Sequence, residues 1–180
     1  MKGPGRRALL ACLLPALLAA CATAGVDTAP DGASISGRLS VRVEASGNSA
    51  ARSVSAGFDL QGTPASGRLN LSNPLGTVLA QARWSPRDAR LTTSEGEKRF
   101  PDLDSLTQEM LGERLPVAAL FDWLRGRPWL EAPSEATTPP APAGFRQLGW
   151  TVDTSRIADG WLVAQRSQAP AVTVKARVEP

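Results

Sequence analysis

Strict alternation of apolar and polar residues over positions 35–44 restricts this chain more than any other feature in it. Ile35, Gly37, Leu39, Val41 and Val43 alternate with Ser36, Arg38, Ser40, Arg42 and Glu44. Successive side chains of a strand point to opposite faces, so a period of two describes a strand with one dry face and one wet face. The same alternation returns in Val54, Ala56, Phe58 and Leu60, in Gly67, Leu69 and Leu71, and in Val78, Ala80, Ala82 and Trp84. Between these runs stand Gly47-Asn48, Gly62-Thr63-Pro64 and Asn73-Pro74-Leu75-Gly76, each with turn chemistry. A weaker hairpin is expected from Ala89 to Phe100, turning near Ser94-Glu95-Gly96. Strands resume with Leu148, Trp150 and Val152, then Trp161 and Val163 after an Ala158-Asp159-Gly160 turn, and finally Val172, Val174, Ala176 and Val178. Short strands joined by tight turns predict an antiparallel sheet.

The period changes in the middle of the chain. Asp102 or Asp104 can cap a helix in which Leu103, Leu106, Met110 and Leu111 share a side, and Gly112 stands where it would stop. Pro116 opens a second helix, with Val117, Leu120, Phe121 and Leu124 at i, i+3, i+4 and i+7 and Gly126 past its end. Residues 131–143 are rich in proline and small residues and read as an irregular surface loop. Seven to eleven strands with only two short helices as cover point to a strongly curved sheet or incomplete barrel with the helices across its opening. Periodicity alone leaves open whether the helices plug a solid core or roof a cavity.

The amino terminus carries a different signal. Arg6 and Arg7 precede an apolar stretch from Ala8 to Ala20, which ends in Leu18-Ala19-Ala20-Cys21. A basic start, an apolar centre and small residues before the cut describe a secretory signal peptide, and a cysteine directly after the cut describes a bacterial lipoprotein. The run is shorter than the roughly 20 residues that span a bilayer. Residues 1–20 are therefore expected to be removed, Cys21 to be lipidated, residues 21–32 to form a flexible tether, and residues 33–180 to form a single domain. Ala22, in place of an aspartate after the cysteine, points to the outer membrane.

Composition narrows the function classes once that peptide is set aside. Loss of Lys2, Arg6 and Arg7 leaves 17 of the 20 basic residues against 17 acidic ones. A balanced chain lacks the electrostatic footprint of a nucleic-acid binder. There is no histidine, and the two cysteines are Cys12, inside the leader, and Cys21. The commonest general base and the usual metal ligands are thus missing from the domain. The acid pairs Glu95 with Glu97 and Asp102 with Asp104 read as solvated loop and helix-cap chemistry instead of a catalytic pair. No enzyme activity, metal or cofactor is expected.

Three stretches carry a family resemblance: Leu71-Ser72-Asn73-Pro74-Leu75-Gly76-Thr77; Leu115-Pro116-Val117 with Trp123-Leu124-Arg125-Gly126; and Gly144-Phe145-Arg146-Gln147-Leu148-Gly149-Trp150. In their order and spacing the chain resembles the outer-membrane lipoprotein receptor family LolB. The resemblance implies a mainly β fold, an open antiparallel half-barrel of about eleven strands with short helices as a lid. It also implies a monomer, anchored through Cys21 on the periplasmic side of the outer membrane. Such a receptor takes lipoproteins from the periplasmic carrier LolA and inserts their acyl chains into the membrane without nucleotide or metal. The chain departs from the family pattern at Phe58-Asp59-Leu60, which lacks a tryptophan after the phenylalanine, and in its early end at Pro180, which leaves the number of final strands open.

On this basis the expected wall of an acyl-chain cavity comprises Leu39, Val41, Phe58, Leu69, Leu71 and Trp150, with Met110, Leu120, Phe121 and Leu124 from the helices. Taken singly, each is an ordinary core residue. Leu75, between Pro74 and Gly76, is the expected membrane-touching loop tip. Without the resemblance, a turn leucine folded back over its own strands is the reading its residue type favours. Arg38, Arg42, Lys98 and Arg99 are candidate rim charges toward the donor. An outer-membrane scaffold or assembly lipoprotein, or a carrier of other hydrophobic ligands, is compatible with the same pattern.

Overall fold

The structure, a computed structural model, describes residues 34–180; the expected leader, Cys21 and the tether lie outside them. Eleven strands form one antiparallel sheet: β1 Ile35–Val43, β2 Arg52–Gly62, β3 Gly67–Ser72, β4 Val78–Ser85, β5 Asp88–Thr93, β6 Gly96–Phe100, β7 Ser134–Ala136, β8 Gly144–Gln147, β9 Trp150–Asp153, β10 Trp161–Arg166 and β11 Val172–Val178. Their spatial order is β6-β5-β4-β3-β2-β1-β11-β10-β9-β8-β7, so among the described residues β6 and β7 are the edges of an open sheet. Every neighbour except β11 follows from a hairpin; β11 returns to pair with β1 along Gly37 to Val43. Two helices, α1 Leu103–Leu111 and α2 Val117–Trp123, interrupt the strands between β6 and β7.

The alternation in the sequence becomes a two-faced sheet. Val41 and Val43, Ala56, Phe58 and Leu60, Ala80, Ala82 and Trp84, and Val172, Val174 and Ala176 are all buried on the concave side. β10 has the opposite phase to the one its sequence suggests. Leu162 and Ala164 are fully buried, whereas Trp161 and Val163 lie on the outer face. Register explains this: Leu162 pairs with Ala176 and Ala164 with Val174, so the inward side of β11 fixes that of β10. Trp161 stays outside because Arg156 and Arg177 cover its ring at 5.7 and 5.6 Å. The proline-rich segment is also less irregular than its composition implies, since Ser134–Ala136 adds a three-residue edge strand against β8. Such a short, polar edge discourages pairing with other chains.

The helices follow their local signals. Asp102 caps α1 by accepting the Ser105 N–H at 2.7 Å, and Gly112 closes it. Hydrogen bonding from the Ser105 side chain, and then from its backbone N–H, holds the Asp102 carboxyl below the usual carboxylate range. A depressed folded-state pKa means that this stabilisation is complete above the unfolded pKa and is lost as pH falls through the folded one. Asp102→Asn keeps the cap acceptor without the charge. In acid titrations followed by circular dichroism, the variant is expected to lose less stability than the parent below about pH 4.

Two buried clusters meet under the helices. One joins β1, β8–β11 and Trp123; the other joins β1–β5 with Leu106 and Phe121. Leu39, Leu103, Met110 and Leu124 are only partly buried and pack against both clusters. The seam between the clusters is therefore where the concave face is incompletely filled.

Candidate functional site

A cavity of about 120 Å³ lies along that seam, between the concave sheet and the two helices. Its floor comes from β1–β5 and β11, including Leu39, Val41, Phe58, Leu69 and Leu71; its roof comes from Met110 of α1 and Leu120 and Leu124 at α2. Among the described residues Thr107 is the single polar one in the lining, and its hydroxyl is engaged, donating to the Asp104 carbonyl and accepting from the Leu115 N–H, both at 3.0 Å. The space exists because small side chains, Ala80 and Ala82, stand where the neighbouring strands carry Leu69, Leu71 and Leu91. An apolar void of this kind stays dry and accepts apolar guests.

Of the ten wall candidates, eight line this cavity and two do not. Phe121 is buried edge-on against Trp84, with ring centroids 5.9 Å apart, and belongs to the packed core. Trp150 is absent from the cavity lining; its ring lies 6.0 Å from that of Trp123, and the Arg166 guanidinium stands over it at 5.6 Å. The reason lies in α2. Its fully packed side presents Ala119, Phe121 and Trp123, while Leu120 and Leu124 are only partly buried and meet the void. Leu60, Leu91, Leu103 and Val174 are lining residues that the sequence reading did not single out.

The roof is attached by polar links at its ends. In the α1–α2 connection, Glu113 accepts from Arg166 of β10 at 2.8 Å, and both side chains are largely shielded. Lys98 of β6 donates to Glu109 of α1 at 3.2 Å on the exposed side. Of the other candidate rim charges, Arg42 is paired with Glu44. Both exposed pairs contribute little to stability. Behind α2, Gln147 is buried and uses every hydrogen-bonding position of its amide. Its Oε1 accepts the Trp123 indole N–H at 2.8 Å and the Trp129 backbone N–H at 2.9 Å; its Nε2 donates to the Trp129 and Ala132 carbonyls at 2.7 and 2.8 Å. Sequence reasoning missed this clasp.

The loop between β3 and β4 is a built turn. Asn73 Oδ1 accepts the N–H groups of Leu75 and Thr77, each at 2.9 Å, while its carbonyl accepts from Gly76 at 3.0 Å. Pro74 sets the second position, and Gly76 takes a positive φ of 84° that disfavours a side chain. Within this frame Leu75 is 91% exposed. The β3–β4 register shifts between Leu71 and Ser72, so Leu79 is extra and faces solvent with Val78. Three apolar side chains thus project from one loop and its base.

The family described as outer membrane lipoprotein LolB matches residues 33–178 of this chain. The chain is also similar to proteins named outer-membrane lipoprotein LolB in three bacteria. The Bordetella petrii protein is 38% identical over 90% of this chain and 86% of its own length. That of Cupriavidus metallidurans is 34% identical over 97% and 87%, and that of Cupriavidus pinatubonensis is 38% identical over 92% and 83%. Matches of this extent, together with the open eleven-stranded sheet and its roofed cavity, establish that the chain belongs to the LolB family.

Proposed function

We propose that this protein is an outer-membrane lipoprotein receptor that takes lipoproteins from the periplasmic carrier LolA, holds their acyl chains under α1 and α2, and releases them into the membrane. The observation that carries this reading is the apolar cavity at the seam of the two clusters. Each buried methylene contributes roughly 0.8 kcal/mol, so sheltering part of an acyl chain keeps a lipoprotein soluble in transit. Direction needs no nucleotide. A receptor that binds the same chains about 1.4 kcal/mol more tightly than the donor draws them over tenfold. The function is binding and transfer without covalent chemistry, by a monomer held at Cys21 on the periplasmic side of the outer membrane.

Longer chains require the roof to yield. Both helices are short, and their cavity side includes the partly buried Leu103, Met110, Leu120 and Leu124, of which the unbranched Met110 side chain adapts most readily to an irregular guest. The Leu75 loop is the element of this reading that meets the membrane.

The test mixes the mature chain, residues 21–180 with Cys21→Ala, with LolA loaded with a labelled lipoprotein. The label is expected to move to this protein without nucleotide. Ala82→Phe, which places a ring in the cavity from its floor, is expected to lower that capture about tenfold, the equivalent of two displaced methylenes. A label that stays on a competent carrier overturns the receptor reading in favour of a scaffold. Capture of free fatty acid alone favours a carrier of other hydrophobic ligands.

A further inference from the structure

The strands place every large exposed apolar side chain among the described residues at one end of the sheet. Leu75, Val78 and Leu79 belong to the β3–β4 loop and its base; Leu148 is in the β8–β9 turn, and Leu130 precedes β7. Antiparallel order puts these three connections at the same end, together with the β1–β2, β5–β6 and β10–β11 turns. The opposite end, with the β2–β3, β4–β5, β7–β8 and β9–β10 connections, carries no such residue among the described ones.

The β8–β9 turn is where sequence and local conformation disagree. Gln147 pairs directly with Trp150, so the turn has two central residues, Leu148 and Gly149, with positive φ of 53° and 78°. A turn of this kind favours Asn-Gly, because asparagine tolerates the left-handed conformation and leucine does not. Leu148 is the only non-glycine residue with positive φ among the described ones, and its side chain is 46% exposed. Leu130 is 91% exposed, and the chain on either side of the two leucines is tied together, since Gln147, which precedes Leu148, hydrogen-bonds both backbone groups of Trp129, which precedes Leu130. A strained backbone that presents an apolar side chain to water is maintained against local preference.

We propose that Leu148 and Leu130 form a second lipid-contacting point, so that the protein meets the bilayer surface at two places on one rim of the sheet. This rests on the receptor reading given above, in which Leu75 is the first contact. Single leucines on turn tips fit insertion between lipids, whereas a docked protein requires a continuous apolar face. Chain reach agrees. Cys21 and Ser34 are thirteen positions apart in the sequence, a contour length of at most about 45 Å, longer than the roughly 30 Å of β1. An anchor whose chain enters at the far end of β1 therefore allows this rim to face the membrane.

The test uses the mature Cys21→Ala chain, without cargo, and floating vesicles of phosphatidylethanolamine and phosphatidylglycerol. Leu148→Asn with Leu130→Ser is expected to lower the vesicle-bound fraction at least about threefold. Leu148→Asn alone is expected to raise Tm by about 2 °C by relieving the turn. That gain separates lost lipid contact from damage to the fold. Unchanged vesicle binding in the double variant overturns the proposal, as does a parent chain that does not bind vesicles. Unchanged vesicle binding with weaker capture from loaded LolA assigns the patch to a protein partner and also overturns it. Failure of the parent to capture lipoprotein, with vesicle binding intact, counts against the receptor reading and leaves the two-point contact standing.

Discussion

Leu75→Glu is expected to leave capture of lipoprotein from LolA unchanged and to reduce delivery into vesicles at least about tenfold. The first half follows from position. Leu75 stands on a loop outside the cavity, 91% exposed, and substitutions at such sites usually change stability by no more than about 0.5 kcal/mol. The Asn73 frame uses backbone N–H groups at Leu75 and Thr77, which glutamate retains. The second half follows from transfer energetics. Burying a leucine side chain is worth about 1.5–3 kcal/mol, and a carboxylate in its place resists entry into hydrocarbon; tenfold corresponds to only about 1.4 kcal/mol. Capture and delivery are read in one assay, by following label from LolA to receptor and then to vesicles. Equal loss of both steps, or a lowered Tm, makes Leu75 a structural residue and removes it from the membrane step.

Most of the sheet was legible because alternation is a local signal and each hairpin is closed by its own turn residues. β1 to β6 and both helices stand where alternation, caps and breakers put them. What the sequence hid is set by long-range pairing. The inward side of β10 depends on β11, more than ten positions away in several pairs, and the indole of Trp161 suggests the wrong face until Arg156 and Arg177 are seen to cover it. β7 is too short and too polar to show a period. Leu148 continues the alternation of Trp150 and Val152 in the sequence, yet it occupies a turn because Gly149 follows it.

The cavity was partly legible for a related reason. Period predicts which side chains point inward but not whether their neighbours fill the space. Alternation supplied Leu39, Val41, Phe58, Leu69 and Leu71; it could not separate Phe121, which packs on Trp84, from Leu120, one residue earlier and facing the void. The useful signal lay in small residues at inward positions. Ala80 and Ala82 alternate correctly for the core but are too short to fill it, and the void lies above them. Gln147 was hidden more completely, because a glutamine in a strand reads as a wet-face residue.

Removing that glutamine is expected to cost more stability than any other change considered. Gln147→Leu keeps the size and apolar surroundings of the side chain but deletes all four of its hydrogen bonds. The Trp123 indole N–H, the Trp129 N–H and the carbonyls of Trp129 and Ala132 lose their amide partner, and each such group costs about 1–3 kcal/mol when it remains buried. Water reaches part of the Trp129–Ala132 segment and offsets some of this, leaving a loss of about 3–5 kcal/mol. For a domain of this size that is a fall in Tm of about 10 °C. Gln147→Glu separates hydrogen bonding from packing. A carboxylate still accepts from Trp123 and Trp129 but repels the two carbonyls that the amide served, so this variant is expected to recover stability at acid pH, where protonation restores one donor. Trp123 packs against Phe145 and Trp150 on the side of α2 away from the cavity. Loosening it lets Leu120 and Leu124 drift from their places over the cavity and removes apolar wall from a bound chain, so Gln147→Leu is also expected to weaken lipoprotein capture. Thermal melts and the capture assay read the two effects on one sample, and a Tm within about 2 °C of the parent would show that the clasp is incidental to the fold.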